Sequence, residues 1–181
     1  LAQRRGLWFM KGSAAAPCPM LSFLVYDNGQ SPDDWPLREP YLIGADGNPM
    51  RCSVWFEDGL IKVEKREAGS AALGLLHPAG ELGELVLQTC LLPEREEPYV
   101  LRVELARHRL MLLYSKLEEW GLFELDREHP VIQRREKALA DFIEALCLQN
   151  DAPEQADPKA QQALEQALDG SEELALAHGA M

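Results

Sequence analysis

Apolar residues in the first half of the chain fall in short runs punctuated by turn residues. In the second half they recur every three or four positions. Leu21-Ser22-Phe23-Leu24-Val25-Tyr26 is closed by Asp27-Asn28-Gly29, a strand entering a tight turn. Ser31-Pro32-Asp33-Asp34 reads as one helical turn with Ser as cap and Pro first, confined by Trp35-Pro36 and Pro40. Tyr41-Leu42-Ile43 predicts a strand before the turn Asp46-Gly47-Asn48-Pro49. Asp58-Gly59 is the signal of a two-residue type I′ hairpin. Counting outward pairs Glu57 with Leu60, Phe56 with Ile61, Trp55 with Lys62 and Val54 with Val63. One face then carries Val54, Phe56, Ile61 and Val63 and turns inward; the other carries Trp55 and Lys62 beside Glu57, Ser53 and Glu64 and stays wet. Ala71–His77 and Glu84–Leu92 add two strands around Pro78-Ala79-Gly80.

After Pro93 the period changes. Leu101, Leu105, Leu112, Tyr114, Leu117 and Trp120 predict a helix that Gly121 ends. Pro130 opens a second helix with a stripe of Leu139, Phe142, Ile143 and Leu146, ending at Asn150. Asn150–Asp157 reads as a polar loop, and Asp157-Pro158 as the start of a third helix with Leu164, Ala167, Leu168, Leu174 and Ala175 on one side. That face is narrow, so the helix is expected to be loosely held, and Gly170 weakens its middle by about 1 kcal/mol relative to Ala. The expected class is α+β: an antiparallel β-sandwich-like module followed by two or three α-helices. Its expected parts are a disordered leader over 1–19, with Met20 as the natural start, a β-rich module over 20–97 whose boundary extends as far as about 105, a helical pair over 98–149, and a linker and truncated helix over 150–181 leading to a missing domain.

Charge narrows the partners. The net charge is −12, and a polyanion needs a basic face, so neither nucleic acid nor an anionic membrane surface is an expected partner. Residues 151–181 carry seven acids against Lys159 alone, the pattern of a solvated helix face. No apolar run reaches membrane-spanning length. Arg4 and Arg5 precede an apolar stretch, Gly6–Met10, too short for a signal peptide, which leaves the compartment unassigned and cytoplasmic by default.

Candidate chemistry is sparse. Cys18, Cys52, Cys90 and Cys147 lie far apart and read as reduced, mostly buried thiols. His77, His108, His129 and His178 share no ligand spacing, so neither a metal nor a cofactor is expected. No G-x-S-x-G, P-loop, G-x-G-x-x-G or H-E-x-x-H occurs. Glu96-Glu97 and Glu118-Glu119 read as solvated charge. Arg102, Arg107 and Arg109 read as ion-pairing with Glu104, Glu118 or Glu119. No residue is assigned as catalytic. The aromatics are more informative: sugar rings stack on flat aromatic faces. Trp55 falls on the outward face of its hairpin and Trp35 in a Pro-bounded loop; packing under neighbouring side chains is the alternative for each. Trp120 reads as a helix-packing residue.

The runs M-L-S-F-L-V-Y-D-N-G, W-P-L-R-E-P-Y-L-I-G, F-E-D-G-L-I-K-V-E-K-R, L-Q-T-C-L-L-P-E-R-E-E-P-Y and L-A-R-H-R-L-M-L-L-Y-S-K-L-E-E-W-G-L-F resemble the N-terminal region of planctomycete endo-1,4-β-xylanase-like proteins. In those a family 10 glycoside hydrolase barrel follows. Such a barrel needs about 250 residues and does not fit here, so its acid/base and nucleophile glutamates would lie beyond Met181. The resemblance implies a non-catalytic accessory module, with a xylan-like polysaccharide and a C-terminal catalytic domain as its partners, and Trp55 and Trp35 as candidate carbohydrate-binding residues. The competing reading is a structural or protein-interaction module with no ligand of its own.

Overall fold

A computed structural model describes residues 20–180; the leader expected over 1–19, with Cys18, lies outside them. The strands are β1 (Met20–Leu24), β2 (Arg38–Gly44), β3 (Pro49–Met50), β4 (Cys52–Glu57), β5 (Leu60–Lys65), β6 (Ala71–Pro78), β7 (Glu84–Gln88) and β8 (Tyr99–Val100). They form two four-stranded sheets, ordered β4-β5-β1-β8 and β3-β2-β6-β7. All pairings are antiparallel except that of β1 with β8. The helices α1 (Leu101–Glu119), α2 (Pro130–Leu148) and α3 (Pro153–Gly179) follow. The protein is therefore α+β, with strands preceding three helices.

The hairpin has the expected register: Glu57 opposes Leu60, Phe56 opposes Ile61, Trp55 opposes Lys62 and Val54 opposes Val63. Asp58 and Gly59 both take positive φ, 54° and 75°, as a type I′ turn requires. Ile61 and Val63 are fully buried, with Val54 and Phe56 packed against the same core. Lys65 continues that inward row; its ammonium bonds the Gly69 carbonyl and lies 2.8 Å from Glu94. In β6 the backbone of Gly74 lies under the Tyr41 ring, where no Cβ would fit.

Ser31–Asp34 is not a helical turn. Ser31 instead lies against Gly59, so closely that a Cβ on Gly59 would collide with its hydroxyl. The third helix starts at Pro153, so Asn150–Asp157 is largely helix rather than loop, and Asp157 is not its cap. Pro at the first helical position costs no hydrogen bond.

The buried faces of the helices differ from the stripes of large residues. In α2, Leu139 and Ile143 are exposed, and the core is met by Val131, Ile132, Ala138, Phe142 and Ala145. Leu112 of α1 is likewise 40% exposed. In α3, Ala156, Ala160, Ala163, Ala167 and Gly170 line up at alternating spacings of four and three beside Leu164, Leu168 and Leu174, all buried; Ala175 is exposed. Small side chains let helix backbones approach closely, so this face is broad and α3 packs on both α1 and α2. Gly170 belongs to the fit: a Cβ there would come within 3.1 Å of the Arg134 Cβ. One core cluster joins both sheets to the three helices; a smaller one gathers Leu113, Leu117, Leu122, Val131 and Leu174, with Trp120 packed against it.

Candidate functional site

The two tryptophans singled out by the sequence end in different surroundings. Trp55 stands half-buried on the outward face of β4, its indole Nε1 3.5 Å from Glu57 Oε2. Lys62, its cross-strand neighbour, bonds the same carboxylate at 2.8 Å. This bond with Lys62 foremost, then that with Trp55, lowers the Glu57 pKa. Trp35 is not a free loop side chain. It is half-buried just ahead of β2, and its ring stacks on His77 of β6 with centroids 6.4 Å apart and planes 23° apart. The Arg102 guanidinium of α1 lies 5.8 Å from the Trp35 ring centre, within reach of a cation–π attraction. No ring contact joins Trp35 to Trp55 among the described residues.

Around Trp35 the fold gathers polar groups that lie far apart in the chain. Arg102 forms an ion pair with Asp157 of α3 and donates to the Tyr26 carbonyl at 3.2 Å. Asp157 is 2% exposed and His77 1%. Burial raises the Asp157 pKa although Arg102 opposes it; loss of water outweighs the pairing. Burial, with the Arg102 charge second, lowers His77 to about 4, so the imidazole is neutral at pH 7. Arg102 Nε and Asp157 Oδ1 are buried without a hydrogen-bond partner among the described residues, and the Gln161 side chain comes within hydrogen-bonding reach of His77.

Two clefts open onto this cluster. The first, about 240 Å³, is lined by Trp35 and His77 with Asp34, Arg38, Pro78 and Arg102. The second, about 640 Å³, lies between the Asp27–Gly29 turn and the start of α3. No group of three or more His, Cys, Asp or Glu side chains is placed to hold a metal ion among the described residues. No described helix is long and apolar enough to cross a membrane.

Of the arginine cluster, Arg107 pairs with Glu104 at 2.9 Å as the spacing suggests, but Arg102 reaches across the fold to Asp157, and Arg109 makes no ion pair among the described residues. The described thiols are unpaired; Cys52 and Cys90 are half-buried against the core and Cys147 is exposed, where mostly buried thiols were expected. Sequence reasoning missed His77, Arg102, Asp157 and Gln161. Each reads alone as ordinary, and only the packing of α1 and α3 on the second sheet brings them together.

Compared with protein-family models, with curated proteins and with solved structures, the chain matches none. The Trp35 cluster is thus read on its own geometry.

Proposed function

We propose that the protein is a non-catalytic accessory module that binds a neutral carbohydrate at the Trp35 cleft. The attachment to a xylanase-like hydrolase rests on the sequence resemblance. The observation that supports binding is the cleft itself: an indole at the wall of a recess lined by Pro32, Pro36, Leu76 and Pro78 as well as by the hydrogen-bonding side chains of Asp34, Arg38 and Arg102. Apolar sugar faces stack on indoles and their hydroxyls bond to carboxylates and guanidinium groups. Trp55, with Glu57 and Lys62 beside it, offers a second, more open platform.

Titration with xylo-oligosaccharides, followed by Trp fluorescence and amide shifts, tests this. Saturable weak binding is expected, because one or two stacked rings contribute little beyond the cost of ordering. Trp35→Ala abolishes it. Asp34→Ala, an exposed position whose loss leaves the core intact, weakens it. If millimolar oligosaccharide shifts no signal, the competing reading stands. That reading is a structural or interaction module, favoured by the exposed Leu139 and Ile143 one turn apart on α2.

A further inference from the structure

Among the described residues ten large apolar side chains are exposed, and four of them, Met111, Phe123, Leu139 and Ile143, fall on one face of the α1–α2 pair. They are between 37% and 56% exposed. On α2, Arg135, Leu139, Phe142, Ile143 and Leu146 stand at helical spacings of three and four, as Arg107, Met111 and Tyr114 do on α1. The two stripes meet where the Arg107 guanidinium lies 5.4 Å from the Phe142 ring centre and that of Arg135 5.7 Å from the Tyr114 ring centre. Phe123 extends the seam, its ring centre 6.3 Å from that of Tyr114. Single exposed apolar residues are ordinary on a protein surface, whereas a contiguous group of them marks a contact.

We infer that this face joins two copies of the chain, the α1–α2 pair of one packing across a two-fold axis on that of the other as four helices. Charge favours a second copy over an unlike partner. Both arginines of the face are matched within the chain, Arg107 by Glu104 at 2.9 Å and Arg135 by Glu136 at 3.6 Å, so it holds no free charge to select an acidic or basic partner. The acidic excess of residues 151–181 belongs to α3, which grips α2 through Arg134 with Asp169 and Glu173, and through Lys159 with Glu144. Arg134 and Glu144 lie across the helix from Leu139 and Ile143, so two copies joined at the apolar face hold their acidic helices apart. Size agrees. Each helix has 19 residues, so the pair covers about 28 Å by about 20 Å, roughly 560 Å² per copy, enough for a weak, reversible dimer. The inference does not rest on the carbohydrate reading: none of these residues lines the Trp35 cleft.

The test is sedimentation equilibrium of the intact chain from about 1 to about 500 μM. The mass is expected to rise with concentration from 20.3 kDa toward twice that value. Added salt should tighten the association, because it screens only the repulsion between two copies of net charge −12. Leu139→Glu and Ile143→Glu, at positions exposed in the single chain, should each raise the Kd at least about tenfold while the dilute variants melt as the parent does. Val86→Lys, at an exposed position on the edge strand β7, should leave the Kd unchanged. A chain that stays monomeric throughout the range overturns the inference. So does a dimer that tolerates both glutamates, one that Val86→Lys breaks instead, or one that salt weakens. A monomer that binds a leucine–lysine model helix, and loses it on Ile143→Glu, assigns the face to an unlike helical partner and overturns the inference as well.

Discussion

Replacing His77 by Phe is expected to change how stability depends on acidity. His77 is buried, with the Gln161 side chain beside its ring. Burial first and the Arg102 charge second hold its pKa at about 4, against 6.5 for the free side chain; a hydrogen bond with the Gln161 side chain opposes both. Between these two values the unfolded chain takes up a proton that the folded chain refuses. The stability of the neutral state is therefore complete above pH 6.5 and is lost progressively as pH falls to about 4. At 1.36 kcal/mol per pH unit the interval amounts to about 3 kcal/mol. For a chain of this length that is a fall in melting temperature of roughly 6–12 °C. Asp157 works in the opposite sense. Its raised pKa lets the folded state hold a proton more readily, so it gains stability as pH falls. Only the difference between variants isolates His77. Phe keeps a flat ring against Trp35 and cannot titrate. Thermal unfolding by circular dichroism from pH 7.5 to 4.5 should show a steep loss for the parent and a shallower one for His77→Phe. Parallel slopes would show that His77 is hydrated or paired in solution.

Other substitutions probe the packing. Gly74→Ala should destabilise by more than 1 kcal/mol in urea unfolding, because the new Cβ meets the Tyr41 ring, and Tyr41→Ala in the same chain should recover part of the loss. Ala163→Leu, in the small-residue row of α3, should cost about 1–3 kcal/mol through overpacking. Leu164→Ala should cost about 2–5 kcal/mol through the cavity it leaves; if both α3 variants melt like the parent, the helix is not held as described.

The hairpin was legible in the sequence because it is local: Asp58-Gly59 sets the turn and the alternation of Val54 and Phe56 sets the face. The helices were legible as elements but not as faces. Leu139 and Ile143 carry more apolar area than Ala138 or Ala145, yet α3 approaches α2 closely and selects the alanines. A pattern read from large side chains misses an interface built from small ones. Ser31 shows a different failure. Its cap signal was real, but close packing on Gly59 overrode a weak one-turn propensity. The candidate site was half visible. Trp35 announced itself by type, whereas His77, Arg102 and Asp157 gain their character only from burial beside one another, a property of three distant segments that no local window contains.

The short strand β8 runs directly into α1 and lies parallel to β1, with Tyr99 opposite Phe23. A parallel neighbour has to come from far along the chain, and here almost the entire strand-bearing region intervenes. During synthesis β1 must wait, with one edge open, until the chain has passed the last strand. The first helix then emerges already tethered beside the sheet. The hairpin closes over a two-residue turn, whereas the first sheet closes only once Tyr99 and Val100 have followed, immediately ahead of α1. Any slowing of elongation before Tyr99 would prolong the life of an exposed strand edge, the species most prone to pair with another copy of itself.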